Sequence, residues 1–422
     1  MSKNIKANSG IDLYELNNGM KVVFEQNKHL NAVTVGVWIK AGSRDEDEYN
    51  NGIAHMIEHM LFKGTNTMSA EELAVRTAII GGSLNAYTSK ENTEFYCRTL
   101  PSCLKEAISI LGDMICHSLI DDGELEKEKG VVCEEIDMYK DSPEDSVHEL
   151  LQKKIWKNHP LGYLISGKKK NVKSFSSSQL KAFMDKYYTA DNMVISVAGN
   201  FNKRETLLWI KQAFMDVKNN INVLEDRSLR NRELNPTYKK VEFSKSKDIE
   251  QLHINYAFEA PSYMEDERYS AAILNAILGG DVNSRLFQGI REKHGLTYSV
   301  YSYGSSFSDV GLMHIYAAMN PQQYDKVYEL VVDIINDLRQ KGVKSIELEN
   351  AKKQTMVEMT LNRDSTSSVM SANAKNIMYG IPITSFEERI AMLNGVKRKD
   401  VNNLIDKYLT LDNMSMGFIG PI

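Results

Sequence analysis

A chain of 422 residues, 42% apolar and 25% charged, has the composition of an ordinary globular protein. That length exceeds one usual core and predicts two domains of about 200 residues each. The net charge of −5 includes no concentrated basic face, which argues against nucleic acid as a partner.

No run approaches the ~20 apolar residues of a membrane span. Residues 1–12 have no apolar stretch of the kind a secretory signal needs. A cytoplasmic location without membrane contact is therefore expected. Cys97, Cys103, Cys116 and Cys133 show no C-x-x-C spacing, which predicts reduced thiols rather than disulfides or a thiolate metal site.

In chain order, residues 13–16 and 20–24 are apolar runs separated by Asn17-Asn18-Gly19, residues tolerant of positive φ. They predict a hairpin. Residues 33–39 predict a further strand. From about 52 to 62 the pattern becomes helical, and 69–80 predict a second helix with Ser69 as N-cap and Glu72 three residues on. Gly81-Gly82 stops that helix, and 83–100 read as extended chain. Helices then dominate to about residue 140, including a charged one over 122–139, and recur before Tyr187.

Asp185-Lys186-Tyr187-Tyr188-Thr189-Ala190-Asp191-Asn192-Met193 is answered 221 residues later by Asp406-Lys407-Tyr408-Leu409-Thr410-Leu411-Asp412-Asn413-Met414. Ala41-Gly42-Ser43 and Ala260-Pro261-Ser262 stand 219 apart, as do Asp47-Glu48 and Asp266-Glu267. Pro101 opens a helical stretch holding Asp113, as Pro321 opens one holding Asp333. A collinear series of this period marks a duplicated domain rather than a solenoid. Strands and helices come in segregated runs, so the expected fold is α+β. Two homologous domains, residues 1–217 and 248–422, would each pack an antiparallel-rich sheet with helices. A polar linker region at 218–247 would join them.

His55-Met56-Ile57-Glu58-His59 lies inside the first helix. Histidines at i and i+4 share a face with Cβ atoms about 5–6 Å apart, close enough to hold one metal ion. Glu58 lies near that face. Two neutral imidazoles and a carboxylate beside a water suit a zinc hydrolase, in the reverse of the H-E-x-x-H order. Two metal-free histidines on an amphipathic helix would read the same from these five residues alone.

A catalytic zinc takes a third protein ligand. The helix at 122–139 offers Glu124, Glu126, Glu128, Glu134 and Glu135, most of them suited to a solvated face. Glu128 and Glu135, seven apart, project with Val131 and Val132 on a stripe where a carboxylate must be paired or ligating. Glu134 projects about 100° away. Helical geometry alone does not choose between these faces.

The chain resembles the pitrilysin-type zinc metallopeptidases with the inverted H-x-x-E-H motif. The likeness is greatest to the branch of mitochondrial processing peptidase and its short bacterial relatives. That family places its third ligand on a later helix, and Glu135 lies 76 residues after His59, within Val131-Val132-Cys133-Glu134-Glu135-Ile136-Asp137-Met138. Met60-Leu61-Phe62-Lys63-Gly64-Thr65 is also similar. The resemblance implies His55, His59 and Glu135 as ligands of Zn2+, Glu58 as general base, and Glu128 as the carboxylate that orients a ligand.

Gly81-Gly82-Ser83-Leu84-Asn85-Ala86-Tyr87-Thr88 resembles the family's edge strand, where substrate adds as an extra strand. Asn85, Ala86 and Tyr87 are therefore expected to bind substrate. Arg291 and Tyr298, seven apart after Ser284-Arg285-Leu286-Phe287, resemble the family's pair that holds substrate and assists at the oxyanion. Overlaying the repeats sets Leu274 opposite His55, and Ile277-Leu278 opposite Glu58-His59, so the second copy lacks metal ligands.

The resemblance implies a bacterial zinc endopeptidase that hydrolyses peptides or unfolded polypeptide segments. It further implies a homodimer, as half-length members of the family pair, or a heterodimer with a homologous subunit. The alternative is a non-catalytic, chaperone-like member or one subunit of a heteromeric processing peptidase. A non-catalytic member would show eroded ligands, and no catalytic position departs from the family here.

Overall fold

The computed structural model describes residues 3–6, 10–219 and 236–421. Its strands form two sheets. In the first, β1 (Lys3–Lys6), β2 (Ile11–Glu15), β3 (Lys21–Gln26), β7 (Met193–Gly199), β4 (Val33–Ile39), β6 (Thr93–Thr99) and β5 (Ser83–Thr88) lie in that order. In the second, the order is β10 (Thr297–Ser306), β11 (Gly311–Met319), β9 (Leu252–Ala260), β12 (Ser415–Gly420) and β8 (Glu242–Ser246). Pairing is antiparallel except between β3 and β7 and between β8 and β12. Thus β5-β6-β4-β7-β3 and β10-β11-β9-β12-β8 share order and pairing sense. The duplication read from the sequence is a duplication of topology.

The expected local elements are present. The β2–β3 hairpin turns at Gly19, whose φ is +86°. Helix α1 is Ile53–Met60, and α2 (Ala70–Ile79) starts where the Ser69 hydroxyl accepts from the Glu72 amide and the Glu72 carboxylate accepts from the Ser69 amide. Then come α3 (Leu104–His117), α4 (Asp122–Asp141) and α5 (Pro143–Ile155).

Two compact units emerge, and they differ from a single cut at 218–247. One comprises residues 1–136, 163–235 and 361–386; the other comprises 137–162, 236–360 and 387–422. The physical reason is sheet cover. β4 and β7 are buried along their whole lengths, so both faces of their sheet need an apolar layer. On one face Met56, Ile57 and Met60 of α1 and Ile108 and Leu111 of α3 join Val35, Val37 and Ile195 in the main core. On the other face, Met370, Ala374 and Ile377 of the helix Thr366–Tyr379 pack with Val23, Trp38 and Val194.

The second unit mirrors this arrangement. Val147, Leu151 and Ile155 of α5 pack with Ala257, Leu312, Tyr316 and Ile419. Each copy lends one helix to the other copy's sheet. Of the expected linker at 218–247, residues 220–235 lie outside the described residues, and Glu242–Ser246 forms the edge strand β8, parallel to β12. Among the described residues, no helix is long and apolar enough to cross a membrane.

Candidate metal centre and active site

Helix α1 is fixed at its start before any ligand is placed. It enters through Gly52 at φ +104°, a conformation that favours glycine, and a Cβ there would stand 2.9 Å from the Gly167 Cα. The buried carboxylate of Glu46 accepts from the amides of Gly52 (2.8 Å) and Ala54 (2.9 Å) and from the Asn51 side chain (2.8 Å). Burial outweighs those bonds and pushes the Glu46 pKa up to about 7. Ile53, Met56, Ile57 and Met60 then face the core, leaving His55, Glu58 and His59 together on the remaining faces.

His55, His59 and Glu135 form a cluster whose ligand atoms lie within 4.8 Å of one another. Glu135 Oε2 is 3.4 Å from His59 Nε2 and 3.7 Å from His55 Nε2. Donors about 2.0–2.1 Å from a tetrahedral zinc stand about 3.3–3.4 Å from one another, so this donor set fits the ion in spacing and chemistry. Glu134 points to solvent, as does Val131; only Val132 of the expected apolar pair is buried. The stripe on α4 is thus narrower than its sequence suggested, and Glu128 and Glu135 lie along it.

Behind His59, Glu128 Oε1 lies 2.8 Å from Nδ1, and Glu128 Oε2 accepts from Lys63 Nζ at 2.6 Å. The Glu128 contact fixes the tautomer that presents His59 Nε2 to a metal. The His55 Nδ1 is buried without a partner among the described residues, so packing alone orients that ring. Burial, followed by the neighbouring His59, lowers the His55 pKa to about 4 and keeps the ring neutral. Burial also opposes charge on His59, but its bonds to Glu128 and Glu135 prevail and raise its pKa to about 9. Glu135 is held low, chiefly by the bond from His59.

Glu58 sits one residue before His59 and is largely buried, and burial raises its pKa. Its Oε2 accepts from the Thr88 hydroxyl at 2.5 Å. Thr88 ends β5, the outer strand that carries Asn85, Ala86 and Tyr87. Asn85 and Tyr87 are exposed, and Ala86 turns toward the core. In the second unit, the Arg291 guanidinium lies 4.9 Å over the ring of Tyr298, which is 80% exposed. Leu274, Ile277 and Leu278, at the repeat positions of His55, Glu58 and His59, are core residues of that unit.

Sequence reasoning missed three contributors. Glu46 gave no signal, because its partners are backbone amides several residues away. Lys63, at i+4 from His59, stood within a recognised segment but had no assigned role. Thr88 closed the recognised strand segment, and only the fold brings it to Glu58.

Comparison with known proteins gives one consistent result. Residues 21–169 match the family described as Insulinase (Peptidase family M16), and residues 174–355 match the Peptidase M16 inactive domain. An uncharacterized zinc protease of Bacillus subtilis is 40% identical over 97% of this chain and 98% of its own length. Another from Rickettsia felis is 32% identical over 97% of each chain. Among solved structures, a protease from Helicobacter pylori superimposes with a TM-score of 0.89 at 20% identity, covering 98% of this chain and 100% of that one. A peptidase M16 inactive domain from Pseudomonas fluorescens gives 0.88 at 20% identity, covering 98% of each.

Proposed function

Since the chain belongs to the M16 peptidase family, we propose that it is a zinc metalloendopeptidase acting on peptides or unfolded polypeptide segments. The observation that carries this reading is the three-donor cage of His55, His59 and Glu135 with a half-buried carboxylate, Glu58, on the helix of the two histidines.

Zinc bound by these three residues would supply Lewis acidity, acidifying a water and polarising a scissile carbonyl. Glu128 accepts a hydrogen bond from Nδ1 of His59 and so turns Nε2 toward the site. Glu58 takes a proton from the attacking water and passes it to the leaving amine, and burial, by raising its pKa, makes it a stronger base than an ordinary carboxylate. Asn85, Ala86 and Tyr87 hold the peptide against β5 by strand addition. Arg291 grips substrate and Tyr298 donates to the tetrahedral oxyanion, a role worth about 3–4 kcal/mol elsewhere.

We place the protein in the bacterial cytoplasm, a reading supported by four free cysteines and by bacterial relatives. The proposed assembly is a homodimer, with a heterodimer containing a homologous subunit as the variant. The test is cleavage of a quenched fluorescent peptide library by purified protein, by chelator-treated protein, and by the same sample with zinc restored. Activity that vanishes with chelator and returns with zinc is expected. No cleavage with zinc bound would point to a missing partner subunit, and no bound zinc would sink the site.

A further inference from the structure

The open edge of β5 has a defined register. The turn after it closes with the Ser89 amide donating to the Asn92 carbonyl at 2.7 Å. Antiparallel ladders alternate hydrogen-bonded and non-hydrogen-bonded pairs. The register pairs Thr88 with Thr93, Tyr87 with Glu94, Ala86 with Phe95, Asn85 with Tyr96 and Leu84 with Cys97. Counting back from Ser89, Tyr87 and Asn85 spend their amides and carbonyls on β6. Leu84, Ala86 and Thr88 aim theirs outward, along the edge that no described strand covers, where the Ala86 amide meets only the Asn85 side-chain Oδ1 at 2.9 Å, a contact an added strand would displace.

The last of these outward positions already has a neighbour. Glu58 Oε2 accepts from the Thr88 hydroxyl at 2.5 Å. A carboxylate on the helix of the two histidines therefore stands beside the outward position that follows Ala86 along the strand.

We propose that Thr88 is a positioning residue that ties the general base to the peptide-binding edge. Its hydroxyl holds Glu58 one step beyond Ala86 along the strand, so a peptide paired with Ala86 presents its next bond to the base. The inference rests on the peptidase reading. The hydroxyl bond restrains where the carboxylate lies, and a base displaced by about 1 Å can cost about 10²-fold in rate. The Thr88 hydroxyl bonds Glu58 and none of His55, His59 or Glu135 among the described residues, so metal binding does not depend on it.

The test uses Thr88→Val, which keeps the branched shape and removes the donor, and Thr88→Ser, which restores it. Both are measured zinc-loaded on a peptide that the wild type cleaves. Thr88→Val is expected to keep its zinc and to lose about 10–100-fold in kcat with KM changed less than about twofold; Thr88→Ser recovers most of the loss. In a Glu58→Asp background, whose shorter arm does not reach the strand, Thr88→Val should change kcat less than about twofold, because the pair acts as one unit. Should Thr88→Val fail to fold, Thr88→Ala, which also removes the donor, carries the same comparison.

An undiminished kcat, a loss confined to KM, or an equal loss in the Glu58→Asp background overturns the inference while the peptidase reading stands. Wild-type protein that binds no zinc removes the reading and the inference together.

Discussion

Replacing Glu128 should weaken zinc binding without unfolding the protein, by an amount that its two contacts set. Its side chain is 6% exposed, with one oxygen 2.8 Å from His59 Nδ1 and the other 2.6 Å from Lys63 Nζ. A charge-assisted hydrogen bond of this kind contributes about 1.5–3 kcal/mol. Glu128→Gln keeps an acceptor for His59 but loses the charge, about half of that figure, or roughly tenfold in zinc affinity. Glu128→Ala loses the whole contact and frees the imidazole to rotate, for a loss of roughly 100-fold. Lys63 competes for the same carboxylate, so Lys63→Met should leave affinity unchanged or slightly raised. The assay is competition with a chromophoric chelator, with circular dichroism confirming the fold of each metal-free variant. Zinc affinity within about twofold of wild type in a folded Glu128→Ala would refute the reasoning, since outer contacts of this kind are worth at least tenfold.

Other outcomes follow from the same coordinates. His59 titrates near 9 without metal, so zinc loading at pH 7 should release about one proton per ion, and affinity should climb with pH until about 9. Potentiometric titration showing no proton release would contradict that account. In the second unit, burial lowers His148 to about 4 against Glu144 and Asp145, with His253 adding to the fall, and lowers His314 to about 3. Neutral His148 is favoured in the fold, so its contribution is present above pH 6.5 and is lost as pH falls toward 4, about 3 kcal/mol in all. Thermal melts of metal-free protein between pH 7.5 and 5 should show that loss, and His148→Phe should flatten it; an equal pH slope in the variant would exclude the histidine. Gly52→Ala should cost about 2 kcal/mol or more from its positive φ and the Gly167 backbone, read as a lowered Tm. An unchanged Tm would show that the turn relaxes freely.

Much of the fold was legible because local chemistry and global topology agree. Asn17-Asn18-Gly19 marks a turn, Ser69 and Glu72 mark a helix start, and the collinear repeat announces two copies of one topology. The exchange of α5 and the helix Thr366–Tyr379 was not legible. An amphipathic helix records that it must be covered, and nothing in its period says by which sheet. Strands β4 and β7 did hold a hint, since their unbroken apolar runs call for cover on both faces.

The site divides in the same way. The i, i+4 histidines are a statement about one helix and can be read directly. The choice between Glu134 and Glu135 depends on where α4 lies against α1, which needed resemblance first and coordinates second. Glu46 and Thr88 act across loops and strands, with no sequence spacing to reveal them.

The central claim is that Glu58 moves the proton in a zinc-dependent peptide hydrolysis. Its most direct test is kcat for wild type and Glu58→Gln on one peptide, with both proteins shown to hold equal zinc. The account predicts a loss of about 10²–10⁴-fold in the variant with its metal retained. A zinc-loaded Glu58→Gln that turns over at the wild-type rate would contradict it.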